Sequence, residues 1–247
     1  MMPLPLRHQQ SRYLFQALWL PIIGVLMVAG APSEVWGGLL AAGLASALLL
    51  KRAACSVACP LFPLGELLWR TGARWFGRNL APPFWFDLLL RSAKYLVLGW
   101  VGLTLLTRQG EGVALATHLG LPAVGGIVAA LVILSLFFQL PWCRYLCPYG
   151  ALLGLTALPA LLTIRRSPRH CVRCHKCSNR CPANLPVMLR TSVRSAECLA
   201  CYRCVDGCPS PGALAFATPA YRAVPAWVTG VVLSAMLLIG ILIGWAM

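Results

Sequence analysis

Eight cysteines between Cys171 and Cys208 stand in two C-x2-C-x2-C-x3-C-P runs, RHCVRCHKCSNRCP and AECLACYRCVDGCP. That spacing is the ligand pattern of bacterial ferredoxins that carry [4Fe–4S] clusters. Three cysteines two residues apart wrap a tight loop round three corners of one cube. The fourth, released by a proline turn, reaches the other cube. The expected sets are Cys171, Cys174, Cys177 and Cys208 for one cluster, and Cys198, Cys201, Cys204 and Cys181 for the second. Zinc ribbons also use C-x2-C pairs, but zinc has no use for this run twice over. A disulfide framework needs an oxidising compartment, which the charge pattern argues against.

Four cysteines remain, Cys55, Cys59, Cys143 and Cys147, in two C-x-x-x-C-P motifs. Each pair falls on one side of a helical turn. Pro60 and Pro148 suit the first position of a new helix. Cys59 and Cys147 would then sit at helix N-termini, where the dipole favours thiolate. Twelve cysteines make three sets of four, so the two pairs are expected to converge on one metal site, a third iron–sulfur cluster. Two redox-active dithiols, plain structural cysteines and another metal are the alternatives.

These cysteines need elements to hold them, and the composition says where those elements lie. The chain of 247 residues is 59% hydrophobic and 11% charged, with a mean hydropathy of +0.75. A soluble chain carries about 25% charged residues. The formal net charge is +15. On a soluble protein that would suggest nucleic acid; here it reads as basic loops retained in the cytoplasm. Apolar runs at about 13–30, 35–50, 92–107, 121–140 and 226–245 predict five spans. The basic start and first run also fit a signal peptide, as a second reading. Only Arg108 of the 21 Lys and Arg falls in a predicted outer loop. The positive-inside rule then puts the N-terminus and the ferredoxin segment in the cytoplasm of a bacterial inner membrane, and the C-terminus in the periplasm.

The expected fold is an α-helical polytopic membrane protein with two pseudo-repeats and an inserted α+β two-cluster ferredoxin domain. Residues 1–163 form the four-span membrane domain, 164–222 the ferredoxin domain, and 223–247 the fifth span. The repeat pairs CSVACPLFPLGELL with CRYLCPYGALLGLT. Residues 51–93 predict an amphipathic surface helix, with Glu66, Arg70, Arg74 and Arg78 every four residues. Residues 149–163 predict a short interfacial or re-entrant helix.

Two C-x-x-x-C-P motifs behind membrane spans, followed by a two-cluster ferredoxin, resemble the NapH/MauN family of membrane polyferredoxins. The membrane parts of NosR and of CcoG-type proteins are related. The resemblance implies electron transfer between the quinol pool and a redox protein partner, such as a reductase, dehydrogenase or cytochrome. The fifth span departs from the family pattern.

No phosphate-binding loop, dinucleotide fingerprint or nucleophilic triad stands in the sequence. The chain is therefore expected to transfer electrons without substrate chemistry of its own. The four histidines, His8, His118, His170 and His175, lie outside the predicted spans. Arg169, Arg173, Lys176, Arg180 and Arg203 crowd the cysteine loops, where they would raise a cluster's potential, dock an acidic partner or face anionic lipid. A quinol site wants a proton acceptor near the membrane surface. Asp87 is placed first, beside Arg91 and Lys94, ahead of Glu66, Glu111 and His118. The alternative function is metal handling or cofactor assembly, for example copper reduction at the C-x-x-x-C pairs. A redox-sensing protein is a third reading.

Overall fold

The computed structural model describes residues 7–76, 84–107 and 120–246. Arg78, Arg108, Glu111 and His118 lie outside the described residues. In chain order the helices begin with α1 (Arg7–Val28), α2 (Ser33–Leu50), α3 (Ala53–Val57) and α4 (Leu61–Phe76). They continue with α5 (Phe84–Thr107), α6 (Gly120–Phe137), a π-helical turn (Trp142–Leu146) and α7 (Pro148–Thr156). The cysteine-rich part then adds β1 (Thr163–Arg166), α8 (Lys176–Asn179), β2 (Ser192–Val193), α9 (Arg203–Asp206) and β3 (Leu214–Ala217). Helix α10 (Ala226–Ala246) closes the chain.

Among the described residues three helices are long and apolar enough to cross a membrane: His8–Val28, Ser33–Leu50 and Ala226–Ala246. At 1.5 Å per residue, 21 residues reach roughly 31 Å, about the thickness of a hydrocarbon core. The first helix starts at Arg7, ahead of its apolar run, because its polar first turns are held by tertiary contacts described below. Helices also form over the third and fourth predicted spans, as α5 and α6.

The chain divides into two compact units, Met1–Pro60 with Leu153–Met247, and Leu61–Leu152. In the first, α2 and α10 lie backbone to backbone. A Cβ added at Gly38 would sit 2.1 Å from the Gly240 carbonyl oxygen, and one at Gly244 would sit 2.5 Å from that of Glu34. The sequence GILIG around Gly240 and Gly244 is the small-xxx-small pattern that permits such an approach in lipid. Helix α1 joins through Trp19, whose indole N–H donates to Ser234 Oγ at 2.9 Å.

The cysteine-rich part holds a three-stranded antiparallel sheet in the order β2-β1-β3, with Ile164 opposite both Val193 and Phe216. One apolar core runs from Trp19, Leu50 and Leu237 of the long helices, through Ala54 and Val57 of α3, to Ile164, Phe216 and the cysteines Cys198 and Cys204. The sheet and its loops are therefore packed onto the ends of the helices.

In the second unit α4 packs on α6. A Cβ at Gly72 would meet the Leu136 carbonyl oxygen at 2.0 Å, and one at Gly65 the Leu140 side chain at 2.8 Å. The predicted surface helix therefore commits one edge to a neighbouring helix. Glycines seven residues apart give it a flat seam, which the charge pattern alone did not reveal. Glu66 is buried and takes Arg70 at 2.5 Å.

Candidate metal centres

The two four-cysteine runs fold alike. Arg173 and His175 in the first loop have φ of 53° and 59°; Ala200 and Tyr202 in the second have 49° and 58°. None is glycine, and left-handed backbone at such residues persists only where the surroundings over-determine it. Each loop winds so tightly that the N–H two residues beyond the first cysteine turns onto its sulfur: Arg173 on Cys171 and Ala200 on Cys198. Amide hydrogen bonds to ligand sulfurs are a normal part of cluster binding.

Cys181, Cys198, Cys201 and Cys204 line one apolar cavity with Ile164, Leu185 and Val193. Cys181 comes from the first run and the other three from the second, as crossed ligation requires. Burial pushes the Cys181 thiol up to about 12, with nearby Cys201 adding to the shift. Burial also raises Cys198 and raises Cys204 well above the ordinary thiol value. Four thiolates in one apolar pocket need a cation among them. Among the described residues no three His, Cys, Asp or Glu close round a single ion. This donor set fits a [4Fe–4S] cluster.

The other set is open. Cys171 and Cys208 are half-buried, Cys174 is exposed and Cys177 is buried. Cys177 and Cys208, from different runs, lie close enough to interact electrostatically. The Arg173 backbone N–H holds the Cys171 thiol below its usual value, with Arg166 and Arg173 adding positive charge.

The helices clamp the second loop. The Gln9 side-chain amide donates to the Cys201 carbonyl at 2.6 Å, and the Gln9 backbone N–H to Asp206 at 3.0 Å. His8 Nδ1 lies 2.8 Å from the same carboxylate, and its ring stacks on Tyr202. At the end of α2, Lys51 donates to the Ala157 carbonyl at 2.9 Å, and Arg52 meets Glu197 at 3.3 Å. Sequence reading took these two residues as orienting charges. Both are buried. The basic residues it favoured are peripheral: Arg169, Arg173, Lys176 and Arg180 are exposed and Arg203 half-buried. A Lys-Arg pair directly after an apolar run reads as a membrane flank, and only the fold folds it inward.

Cys55 and Cys59 belong to the first unit, Cys143 and Cys147 to the second, and each turn is described within its own unit. The two turns are built alike. The Cys59 N–H bonds the Ala54 carbonyl at 3.2 Å, and the Cys147 N–H bonds the Trp142 carbonyl at 3.0 Å, each five residues back. Such π-type turns are rare and frequently functional. Pro148 opens α7 as expected, and the Gly150 N–H donates to Cys147 Sγ at 3.3 Å, so this sulfur caps the helix. In the first motif the helix opens one residue later, at Leu61. The Gln16 side-chain amide donates to the Ser56 carbonyl at 2.6 Å, tying α3 to α1.

Asp87 is 1% exposed and enclosed by Arg91, by Arg144 at 2.5 Å and by the Tyr145 hydroxyl at 2.7 Å. Arg144 and Tyr145 are two of the three residues between Cys143 and Cys147. Asp87 was expected to be held by cations of its own helix. Instead it also pins α5 to the second cysteine turn. The signal available in the sequence was a basic and a hydroxyl residue between two cysteines.

Residues 163–209 match the family described as a 4Fe–4S dicluster domain. Residues 35–82 and 121–166 each match the family described as a 4Fe–4S binding domain. The chain is 35% identical over 202 residues to YccM of Escherichia coli K12, named as a candidate electron transport protein; the match covers 72% of this chain and 56% of YccM. It is 35% identical over 163 residues to the ferredoxin-type protein NapH of the same organism, covering 60% and 52%. An uncharacterized protein of Methanocaldococcus jannaschii, MJ0750, is 26% identical, with 57% and 62% covered. The chain thus spans a little over half the length of these relatives. No solved structure gives a significant match. By the two matched domain types and these relatives, the chain belongs to the NapH-like family of 4Fe–4S ferredoxin-type proteins.

Proposed function

We propose that this chain is a membrane-bound iron–sulfur protein that relays electrons between the quinol pool and a redox partner protein. One observation carries the reading: the two cysteine loops differ in exposure. The loop Cys198–Cys204 is closed against α1, α3 and α10 in one core. The loop Cys171–Cys177 stands open, with Val172, Arg173, Cys174 and Lys176 exposed. Each [4Fe–4S] cluster, when bound, takes up and releases one electron. The chain's residues supply the rest. Gln9 and His8 fix the inner loop to α1, and the basic outer loop offers an acidic partner a complementary surface. The NapH and YccM resemblance supports electron transport as the role.

The same reading takes residues 164–222 as a ferredoxin domain between a membrane part of 1–163 and a last span in 223–247. Cys55, Cys59, Cys143 and Cys147 serve a third cluster in it. The repeated match to a 4Fe–4S binding domain and the shared π-type turn support this. In this reading, by the positive-inside rule, the ferredoxin lies in the cytoplasm and the C-terminus outside. That His8, Arg52 and Thr229, each within a few residues of one end of a long helix, meet the ferredoxin part through Asp206, Glu197 and Tyr202 favours one common face. A reporter active only in the periplasm is expected to work when fused after Met247 and to stay silent when fused after Pro219. Equal results at both points would remove the fifth span, and the reverse pattern would invert the orientation.

The functional test is anaerobic addition of a reduced quinol to the purified protein, followed by EPR. Appearance of reduced-cluster signals is expected. Their absence, in protein whose clusters dithionite does reduce, would end the quinol reading.

A further inference from the structure

Two cations of the membrane part are buried beside the inner cysteine loop. Lys51 is 0% and Arg52 1% exposed. Both lie within electrostatic range of Cys198. Lys51 donates to the Ala157 carbonyl, and Arg52 meets Glu197, next in sequence to Cys198. Exposed Arg194 adds positive charge near Lys51. The outer loop's arginines and lysine are exposed, where solvent and salt screen them.

We propose that Lys51 and Arg52 tune the inner of the two ferredoxin clusters, holding it at a higher reduction potential than it would have without them. The inference rests on the reading that Cys181, Cys198, Cys201 and Cys204 hold that cluster. Reduction adds one electron, supplied by quinol in the cell or by dithionite in the test, and so adds one negative charge with no bond made or broken. A buried cation nearby stabilises that added charge, because the low local dielectric leaves it unscreened. Glu197 works the other way and offsets part of the effect. Lys51 and Arg52 touch no reacting atom, so they are positioning charges. They come from the residues between the second helix and the first C-x-x-x-C-P motif, four and three residues before Cys55. The membrane part thereby sets the energy level of the site it abuts.

The test is a potentiometric EPR titration of the purified full chain. Iron content and the Cys198→Ala variant first identify the inner signal. Arg52→Gln and Lys51→Gln are each expected to lower its midpoint, by about tenfold in the reduced-to-oxidised ratio at fixed potential, which is about 59 mV for one electron. The outer signal should move far less. Arg52→Lys, which keeps the charge, should leave the midpoint near its original value, and Glu197→Gln should raise it. The inference is overturned if both clusters shift together, or if Arg52→Lys lowers the midpoint as much as Arg52→Gln. Should Arg52→Gln lose its cluster, Glu197→Gln decides: a lowered or unmoved inner midpoint overturns the proposal. If the unaltered protein has no inner signal for Cys198→Ala to remove, the cluster reading itself has failed and takes the inference with it. An inner signal that is present but unmoved defeats the inference alone.

Discussion

Cys181→Ala is expected to abolish the cluster bound by Cys198, Cys201 and Cys204 while the cluster of Cys171, Cys174 and Cys177 survives. Cys181 belongs by sequence to the first run, so a sequential reading would predict the opposite loss. The cavity decides between them: Cys181 lines it with Cys198, Cys201 and Cys204. Iron should fall by about four per chain, with loss of one EPR signal. The mirror variant, Cys208→Ala, should damage the outer cluster, since Cys208 interacts with Cys177. The two variants should also differ in stability. The inner loop belongs to the main core, so the Cys181→Ala protein should unfold at a markedly lower temperature. The outer loop is half in solvent, and Cys208→Ala should cost less. The same cavity predicts how iron enters. Burial raises three of its thiols, Cys198, Cys204 and Cys181, the last to about 12, so these three are protonated in iron-free protein at neutral pH. Reloading should then release protons, as metal binding by thiols does. Survival of the inner signal in Cys181→Ala, with loss of the outer one, would refute crossed ligation.

Fully loaded protein is expected to contain about twelve irons per chain, four for each of three clusters. Two clusters would give about eight. Cys55→Ser and Cys143→Ser should each bring the value from about twelve to about eight and leave both ferredoxin signals in place. Equal effects from two cysteines almost ninety residues apart would mark a shared site. Asp87→Asn supplies a graded comparison. It weakens the ties of Arg91, Arg144 and Tyr145 to α5, and removing one member of a buried ion pair costs about 3–5 kcal/mol. It should loosen the second cysteine turn without removing a ligand, giving partial iron loss. A value near eight in loaded protein, unchanged in both serine variants, would eliminate the third cluster.

The eight ferredoxin cysteines were legible because ligand spacing in a tight loop is a local property. Three thiols on one cube must come from neighbouring residues, so their spacing alone marks the loop. The long helices were legible for a similar reason. A run of apolar residues long enough to span needs no partner to identify it. Local capping was partly readable too. Proline after Cys147 placed the start of α7 correctly, while the corresponding helix after Cys59 began one residue later.

What the sequence by itself determined about this protein is therefore its two four-cysteine runs, its apolar helices and its doubled C-x-x-x-C-P motif. The tertiary structure alone decided which charges are buried, and against what. Lys51 and Arg52 looked like membrane flanks and became interior groups beside Cys198. His8 stood only as a histidine outside the predicted spans, and with Gln9 it became a clamp on the second loop. Arg144 and Tyr145 looked like spacers and closed round Asp87. The reason is physical. A cation's cost and effect depend on the dielectric and partners around it, and those are supplied by residues up to about two hundred positions away. Spacing reports only neighbours along the chain.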